Sequence, residues 1–310
     1  MALDPAHLQY PHRRYGMDHD RYDWSMLSER APVQWPGGAS LALWVNLSLE
    51  FFPLNQNGKP FPPPGGMTMP YPDLRHYTLR DYGNRVGVFR CLNALERSGI
   101  RATAAVNGRL AERTPQLIDA INQAGCEILG HGWHMDAPHY GGQPIDEERE
   151  SIQRTLSVLR ARSGQAVTGW LSPGKSQSEN TPDLLAAEGI VYCGDWVNDD
   201  LPYPFRTSAG PLVSLPLSTE LEDRFILMNN LHSEDSYAEQ IEDACDFLLR
   251  EAAASGGGRL LALNVHPWLM GQPHRIATLE RILDHITRQP GVWSASGADI
   301  VAHWQAQQTS

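Results

Sequence analysis

The sequence predicts an α/β fold in which about seven parallel strands and their helices form a closed or nearly closed (β/α) barrel. Strand-like apolar stretches and helix-like amphipathic stretches alternate from residue 40 onward, as they do in parallel sheets wrapped by helices. The 310 residues, 41% of them hydrophobic, can bury a sizeable core. Polar residues directly follow several apolar stretches, which is typical of a barrel whose site lies at the carboxyl ends of its strands.

The first half of the alternation contains three predicted strands. Residues 40–49 are apolar enough to form a strand that is buried on both faces. Residues 84–97 place apolar side chains at helical spacing, and Gly99 follows as a stop. The next strand, helix and strand are predicted at residues 102–108, 114–125 and 126–131.

The second half repeats the same order with shorter strands. Parallel strands need a crossover connection, usually a helix, so the repetition favours a parallel sheet. The predicted helices are residues 146–162, 181–188, 236–254 and 276–287. The predicted strands are residues 167–171, 191–193, 212–217, 260–265 and one near Val292.

Two segments interrupt this alternation. Residues 1–39 are rich in Tyr, His, Arg, Asp and Pro and have no period, which predicts an extended N-terminal arm before a single domain at residues 40–310. Residues 53–80 are rich in Pro and Gly and far exceed a usual connection of about 4–6 residues. We expect this long loop to cover the active site or to join a subunit interface.

Charge and composition restrict the classes of function. A formal net charge of -11 disfavours nucleic acid and anionic membranes as partners. The first residues contain no apolar export segment, and no apolar stretch approaches the roughly 20 residues of a spanning helix. We therefore expect a cytoplasmic protein. Its four cysteines are far apart in sequence, which predicts reduced core residues.

Ionisable residues stand where the predicted strands end. Glu50 follows the first strand, His131 the third, Asp195 a later short strand, and His266 the strand at residues 260–265. The carboxyl ends of parallel strands meet at one face of a barrel. A carboxylate and imidazoles gathered there are the groups that acid–base catalysis of hydrolysis requires.

Six segments resemble the polysaccharide deacetylase (NodB-like) superfamily, in family order. The resemblance is greatest to its intracellular branch of cyclic-amide hydrolases, which includes metal-independent allantoinases. It implies a distorted barrel, hydrolysis of carbon–nitrogen bonds, and a homodimer or homotetramer. The segments are residues 35–50, 80–90, 125–136, 168–189, 195–203 and 264–283.

The resemblance leaves a bound metal undecided. Metal-dependent relatives carry two aspartates after the first strand and two histidines four residues apart, whereas this chain has Ser48, Glu50, His131 and Met135 at those positions. Methionine is a poor ligand for zinc, and the metal-independent branch also lacks the second histidine, so a metal-free site is favoured. A divalent metal such as zinc held by Glu50, His131 and His134 remains the alternative.

The candidate catalytic roles combine the residues with the resemblance. Glu50 is predicted to activate water as a general base, and His266 to protonate the leaving nitrogen. His131 would bind the metal or, without one, donate a hydrogen bond to the oxyanion. Asp195 would orient one of the histidines.

Candidate substrate-binding residues complete the predicted site. Lys175 stands near the place where relatives carry an arginine that binds a carboxylate or carbonyl. The remaining candidates are Ser48 and three tryptophans that could form the pocket wall, Trp170, Trp196 and Trp268.

The predicted function is hydrolysis of a small cyclic amide such as allantoin, a hydantoin or an imide. Phe51 stands where the allantoinases have a second acid, so the ring itself is not identified. One alternative is a metal-dependent N-deacetylase of an acylated sugar or small acylamide. Another is a non-catalytic ligand-binding barrel, which Ser48 suggests because it occupies the usual position of the base.

Overall fold

One curled sheet organises the part of the chain that this computed structural model describes, residues 19–55 and 74–308. Its spatial order is β6-β7-β5-β4-β3-β2-β1-β8, with β9 paired to the beginning of β1. The strands are β1 (Leu41–Leu49), β2 (Thr103–Val106), β3 (Glu127–Gly130), β4 (Gly169–Trp170), β5 (Tyr192–Cys193), β6 (Tyr203–Phe205), β7 (Leu212–Ser214), β8 (Arg259–Val265) and β9 (Val292–Ser294).

The predicted α/β class and the parallel arrangement are confirmed. Seven strands from β7 to β8 form a continuous parallel row, and β6 pairs with β7 in the antiparallel direction. The order of the strands ends at β6 on one side and at β8 on the other. The sheet is therefore an open, curled half-barrel.

Helices connect the strands in the predicted order. The predicted helix at residues 84–97 begins earlier, at Leu74, and continues through a π-helical turn at Gly83–Gly87. The helices are α1 (Leu74–Tyr82), α2 (Val88–Arg97), α3 (Gly108–Arg113), α4 (Pro115–Gln123), α5 (Ile145–Ser163), α6 (Thr181–Ala187), α7 (Glu234–Ser255), α8 (Pro267–Met270), α9 (Ile276–Arg288) and α10 (Gly297–Gln308).

Both irregular segments are only partly described. The end of the predicted loop, residues 74–80, is helical, because the Pro- and Gly-rich composition stops at Pro72. Residues 56–73 of that loop and residues 1–18 of the arm lie outside the described residues. The arm from residue 19 onward contains two short 3-10 turns, Leu27–Glu29 and Pro36–Gly38.

Side chains along β1 and β8 point alternately to the two faces of the sheet. One face packs against the helices as the core, and the other faces the interior of the half-barrel. The odd-numbered leucines of β1 pack towards the helices, while Ala42 and Trp44 face the interior of the half-barrel. The period of two in a strand places the following even-numbered residues on the same interior face. Those residues become polar towards the carboxyl end, and β8 changes in the same way. The interior series are Ala42, Trp44, Asn46, Ser48 and Glu50 in β1, and Leu260, Ala262, Asn264 and His266 in β8.

The opposite end of the half-barrel holds a half-buried carboxylate, that of Glu127. Glu127 accepts hydrogen bonds from the Tyr192 hydroxyl at 2.8 Å and from the Ala298 amide at 3.1 Å, at the beginning of α10. A carboxylate at a helix N-terminus is stabilised by the helix dipole. Glu127 therefore fastens α10 against the sheet, far from the polar end.

The cysteines and helices agree with the expectations from composition. All four cysteines are free and buried, as predicted for reduced core residues. No helix in the two described ranges has both the length and the apolar character needed to cross a membrane.

Gly130→Ala is expected to lower the free energy of unfolding by about 1–3 kcal/mol, the usual cost of overpacking. A Cβ at this last residue of β3 would lie 2.6 Å from Cζ3 of the fully buried Trp170. Urea denaturation measures the change. Gly141→Ala is the matched control, because a Cβ there meets nothing within 4 Å. Equal stability of the two variants would contradict the tight contact between β3 and β4.

Candidate active site

Three strand ends bring the predicted catalytic side chains to one cavity. Glu50 follows β1, His131 follows β3 and His266 follows β8, and all three line a cavity of about 20 Å³. That volume is sufficient for about one water molecule. The ionisable residues that line it are Glu50, His131, Lys175, Glu222, Arg224 and His266.

His131 has a fixed tautomer. Its Nδ1 lies 2.6 Å from the Leu171 carbonyl oxygen, which can only accept a hydrogen bond, so Nδ1 carries the proton. Burial lowers the pKa of His131, although the charge of Glu50 opposes the shift. The neutral ring therefore presents the lone pair of Nε2, a buried atom without a hydrogen-bond partner among the described residues. The predicted donation to an oxyanion is wrong, because this Nε2 is an acceptor.

His266 has the opposite electrostatic environment. Its Nδ1 donates to Asp223 Oδ1 at 2.6 Å, and its backbone amide donates to Asp223 Oδ2 at 2.7 Å. Nε2 lies 3.6 Å from Glu50 Oε1 and 3.9 Å from Glu222 Oε1. Burial alone would lower the pKa of His266, but these three carboxylates outweigh it and raise that pKa. His266 is accordingly suited to be a proton donor near neutral pH.

The carboxylate that bonds and orients His266 is Asp223, and the prediction that Asp195 orients one of the histidines is wrong. Asp195 accepts hydrogen bonds from the Ser172 amide at 2.7 Å and from the Gln177 side chain at 2.6 Å. It fastens the loop after β4 to the end of β5. The partner of a carboxylate at a strand end depends on how the neighbouring loops pack. The spacing of residues in the sequence contains no information about that packing.

Glu50 is held at the mouth of the half-barrel from two sides. Its Oε2 accepts a hydrogen bond from Trp268 Nε1 at 3.3 Å, and its backbone carbonyl accepts one from Asn84 at 2.8 Å. Asn107, at the end of β2, accepts from the Phe51 amide at 2.7 Å and donates to the His131 carbonyl. Asn107 therefore ties the segments that carry Glu50 and His131 to each other.

Lys175 lines the cavity, but its ammonium group is already bonded within the protein. Nζ donates to the Leu217 carbonyl at 2.7 Å and to Thr219 Oγ1 at 2.9 Å, and it lies 3.5 Å from Glu222 Oε2. An ammonium group has three protons, so these three partners saturate it. The predicted contact between Lys175 and the substrate is therefore wrong, and Lys175 instead fixes the loop after β7.

Ser48 also lines the cavity, as part of a polar layer beneath Glu50. Its hydroxyl donates to Asn264 Oδ1 at 2.8 Å, and Asn46 donates to the same oxygen at 2.7 Å. Asn264 in turn hydrogen-bonds Glu222. Since its proton is used within this layer, Ser48 supports the floor of the cavity.

The three tryptophans do not line the cavity. Trp170 is fully buried beneath Gly130 and donates to Ser172, and Trp196 donates to Gln177 beside the arm residue Tyr22. Trp268 lies closer, because its indole nitrogen contacts Glu50 and the Arg80 guanidinium lies 3.9 Å from its ring centroid. The expectation that all three form the wall of this cavity is not met by Trp170, which is a core residue, or by Trp196, which is half-buried and packs against the core.

The described residues at this site do not fit the alternative of a metal held by Glu50, His131 and His134. His134 lies outside the cavity, and the charges that act on it are those of Asp136, Arg109 and Arg154. Gly132, with φ of +65°, breaks the helical spacing that would have aligned His134 with His131. Among the described residues, three metal-ligating side chains converge within 4.8 Å only at Cys245, Asp246 and His285, on α7 and α9.

A larger cavity of about 440 Å³ lies between the arm and the loop before β6. Its charged groups are already paired, Arg30 with Asp199 at 2.7 Å and Arg206 with Asp23 at 3.0 Å. It contains none of the histidines or carboxylates that surround His266. We therefore place the chemistry in the smaller cavity.

Sequence reasoning missed the three consecutive residues Glu222, Asp223 and Arg224. They follow β7 outside any strand. Glu222 precedes a short helical turn that Asp223 and Arg224 begin, so the period of a strand does not indicate where these side chains point. Three charged residues between the apolar Leu221 and Phe225 were the available signal. All of them reach the buried end of the half-barrel: Glu222 is 1% and Asp223 0% exposed.

Comparisons with known proteins agree with this fold. A family model described as polysaccharide deacetylase matches residues 76–193. A putative polysaccharide deacetylase of Schizosaccharomyces pombe is 26% identical over 289 residues, which cover 87% of each chain.

Two solved structures are similar over most of the chain. The crystal structure of PuuE allantoinase has a TM-score of 0.82 and 28% identity, over 91% of this chain and 96% of that one. A probable polysaccharide deacetylase of Pseudomonas aeruginosa PAO1 has a TM-score of 0.80 and 27% identity, over the same shares.

Proposed function

Because this chain carries a polysaccharide deacetylase domain, we propose that it is a hydrolase of carbon–nitrogen bonds that opens a small cyclic amide. The observation that carries the proposal is the shared cavity of Glu50, His131 and His266. Both histidines bond their Nδ1 atoms to acceptors of the protein, Leu171 and Asp223. Their Nε2 atoms are thereby left for the chemistry.

Glu50 and His131 supply the two acceptors that a nucleophilic water needs. A water that donates one proton to the Glu50 carboxylate and the other to His131 Nε2 keeps an oxygen lone pair for attack. The carboxylate then takes the proton as the water oxygen bonds to the carbonyl carbon. The other carboxylate at the cavity, Glu222, is less suited to this role, because the charges of His266, Arg224 and Lys175 outweigh its burial and lower its pKa.

His266 supplies the proton for the leaving nitrogen. Hydrolysis breaks the carbon–nitrogen bond, and the electron pair that remains on nitrogen must be protonated. Nε2 of the imidazolium gives that proton, while Asp223 stabilises the ring. The distance of 3.6 Å between Nε2 and Glu50 Oε1 then allows the proton held by Glu50 to return to His266 after the product leaves.

We expect kcat/KM to fall on both sides of neutral pH. His131, whose pKa is lowered by burial, must be neutral, so protonation in acid removes the acceptor for water. His266, whose pKa is raised by Asp223, Glu50 and Glu222 against the effect of burial, must be protonated, so its deprotonation in alkali removes the acid. A pH–rate profile of kcat/KM measures both limbs. A profile that keeps rising through alkaline pH would contradict the role of His266.

The lining of the cavity favours a small polar ring over a sugar polymer. In the described ranges no Trp, Tyr or Phe side chain lines it, and most of its lining residues are polar or charged. The similarity to PuuE allantoinase over 96% of that chain points in the same direction. An allantoin, hydantoin or imide ring presents the carbonyl and nitrogen that Glu50 and His266 would act on.

A substrate panel with metal analysis tests the proposal. The purified protein would be assayed against allantoin, hydantoins, dihydropyrimidines, succinimide and N-acetylglucosamine oligomers, with bound metal measured by mass spectrometry. We expect ring opening of at least one cyclic amide, retained after dialysis against a chelator. Release of acetate from N-acetyl sugars, lost on chelation, would instead establish a metal-dependent N-deacetylase, the second candidate that the family match favours.

A non-catalytic binding protein is the remaining candidate. It predicts no turnover of any compound in the panel, together with ligand affinity that Glu50→Gln leaves unchanged. Calorimetric titration of both proteins with the same compounds separates this outcome from catalysis.

A further inference from the structure

Three cationic side chains line the cavity and could stabilise an oxyanion. The protons of two of them are already used elsewhere. Lys175 has used its three protons on Leu217, Thr219 and Glu222. His266 is bonded to Asp223 through Nδ1, and its Nε2 proton is needed by the leaving nitrogen. The third cation is Arg224.

Arg224 is held so that part of its guanidinium group remains available. Nε lies 2.9 Å from Glu222 Oε1, and its side chain is 21% exposed. In the described part of the chain, no residue accepts a hydrogen bond from Nη1 or Nη2. The guanidinium group lines the cavity beside Glu50 and His131. The N–H groups of Nη1 and Nη2 are therefore available as donors, and the contact between Nε and Glu222 sets the orientation of the planar guanidinium group.

We propose that Arg224 stabilises the oxyanion that forms when water attacks the substrate carbonyl, and that Glu222 positions Arg224 for this role. The inference rests on the proposed function and deepens it. Preorganised donors aimed at developing charge are among the largest contributions to catalysis of acyl transfer. Glu222 is buried, fixed by Asn264 and Lys175, and cannot move away to release Arg224.

The step balances without an additional reactant. The water oxygen forms a bond to the carbonyl carbon, and Glu50 takes one water proton. The π electron pair of the carbonyl moves to its oxygen, where Arg224 donates hydrogen bonds. When the carbonyl forms again, the carbon–nitrogen bond breaks and the nitrogen takes the proton from His266.

The charges at the site also define the class of substrate. Glu50, Glu222 and Asp223 carry three negative charges, which the charges of His266, Lys175 and Arg224 balance. Each cation already has a carboxylate within 4 Å. A substrate carboxylate would therefore find no uncompensated cation and would be repelled by Glu50. The site accordingly suits a neutral ring whose carbonyl becomes anionic only during the reaction.

Kinetics of Arg224 variants test the inference on a cyclic amide that the parent protein hydrolyses. Arg224→Gln is expected to lower kcat by roughly 10²–10³-fold with KM changed less than about threefold, the pattern of a lost oxyanion donor. Arg224→Ala should regain activity when guanidinium or methylguanidinium is added at millimolar concentration. Arg275→Gln is the matched control, because Arg275 is also 21% exposed and lies 2.8 Å from Glu234 through Nε, away from the cavity. Its kcat should remain that of the parent.

Each outcome decides one question. No ring opening by the parent protein would overturn the proposed function itself. With an active parent, an unchanged kcat in Arg224→Gln, or a raised KM alone, would overturn the oxyanion role. Should Arg224→Ala fail to fold, Arg224→Lys keeps the charge but loses the fork, and we expect a kcat loss of about tenfold or more.

The substrate class is tested with a hydantoin and the same ring bearing a carboxymethyl group. We expect kcat/KM to be at least about tenfold higher for the neutral ring. Equal or greater activity on the carboxylated ring would overturn the inference of a neutral substrate.

Discussion

Glu50→Gln is expected to lower kcat by about 10³-fold, within the range of general acid–base catalysis. The amide keeps the shape of the side chain and an oxygen that can accept from Trp268 Nε1. It cannot take a proton from water, so the attacking group is lost while the cavity is preserved. Steady-state kinetics on the substrate found in the panel measure the loss, and KM should change little.

A half-buried glutamate at the other end of the half-barrel, Glu127, provides the control for Glu50. Glu127→Gln removes a carboxylate at the other end of the half-barrel, where it bonds Tyr192 and the beginning of α10. This variant should lose stability and keep the parent kcat at temperatures where it is folded. If Glu50→Gln retained more than a tenth of the parent kcat, another group would have to be the base.

Asp223→Asn is expected to lower kcat by roughly 10²–10⁴-fold, because the pairing of an imidazole with a carboxylate sets its tautomer and acidity. Asp223 accepts from both the backbone amide and Nδ1 of His266. If the side-chain oxygen of an asparagine accepts from the backbone amide of His266, its NH₂ group must face His266 Nδ1. Two donors cannot share a hydrogen bond, so Nδ1 of His266 must then lose its proton. His266 becomes neutral, and the alkaline limb of the pH–rate profile should move to lower pH.

Asp246→Asn is the matched control for Asp223. Asp246 also pairs with a histidine, His285, at 2.9 Å, but on the outer helices α7 and α9. Its kcat and pH–rate profile should equal those of the parent. If the alkaline fall of kcat/KM occurred at the same pH in Asp223→Asn as in the parent, a group other than His266 would have to cause that fall.

The fold was predictable because each element has a local signal. Helices such as α5 and α9 repeat apolar side chains at helical spacing, and the first strand is apolar on both faces. The helices differ from the prediction at four places. Helix α1 precedes the predicted helix at residues 84–97 because the Pro-rich sequence stops at Pro72, and α3, α8 and α10 were not predicted.

Part of the site was predictable for a similar reason. Glu50, His131 and His266 stand directly after strands, where the parallel arrangement brings side chains to one face. The period of two even connects Ser48 with Glu50 and Asn264 with His266. The sequence by itself thus determined the half-barrel and the three side chains of the proposed acid–base chemistry.

Only the tertiary structure decided which polar groups meet there and in which protonation state. Three features depend on segments between the regular strands and helices, where no periodicity indicates a side chain's direction. They are the pairing of His266 with Asp223 and not Asp195, the use of all three Lys175 protons within the protein, and the available guanidinium group of Arg224. The direction of His131 depends on the Leu171 carbonyl, which lies forty residues away. Hydrogen bonds and charges act over a few ångströms in space, so their partners are fixed by the packing of distant segments and not by residue order.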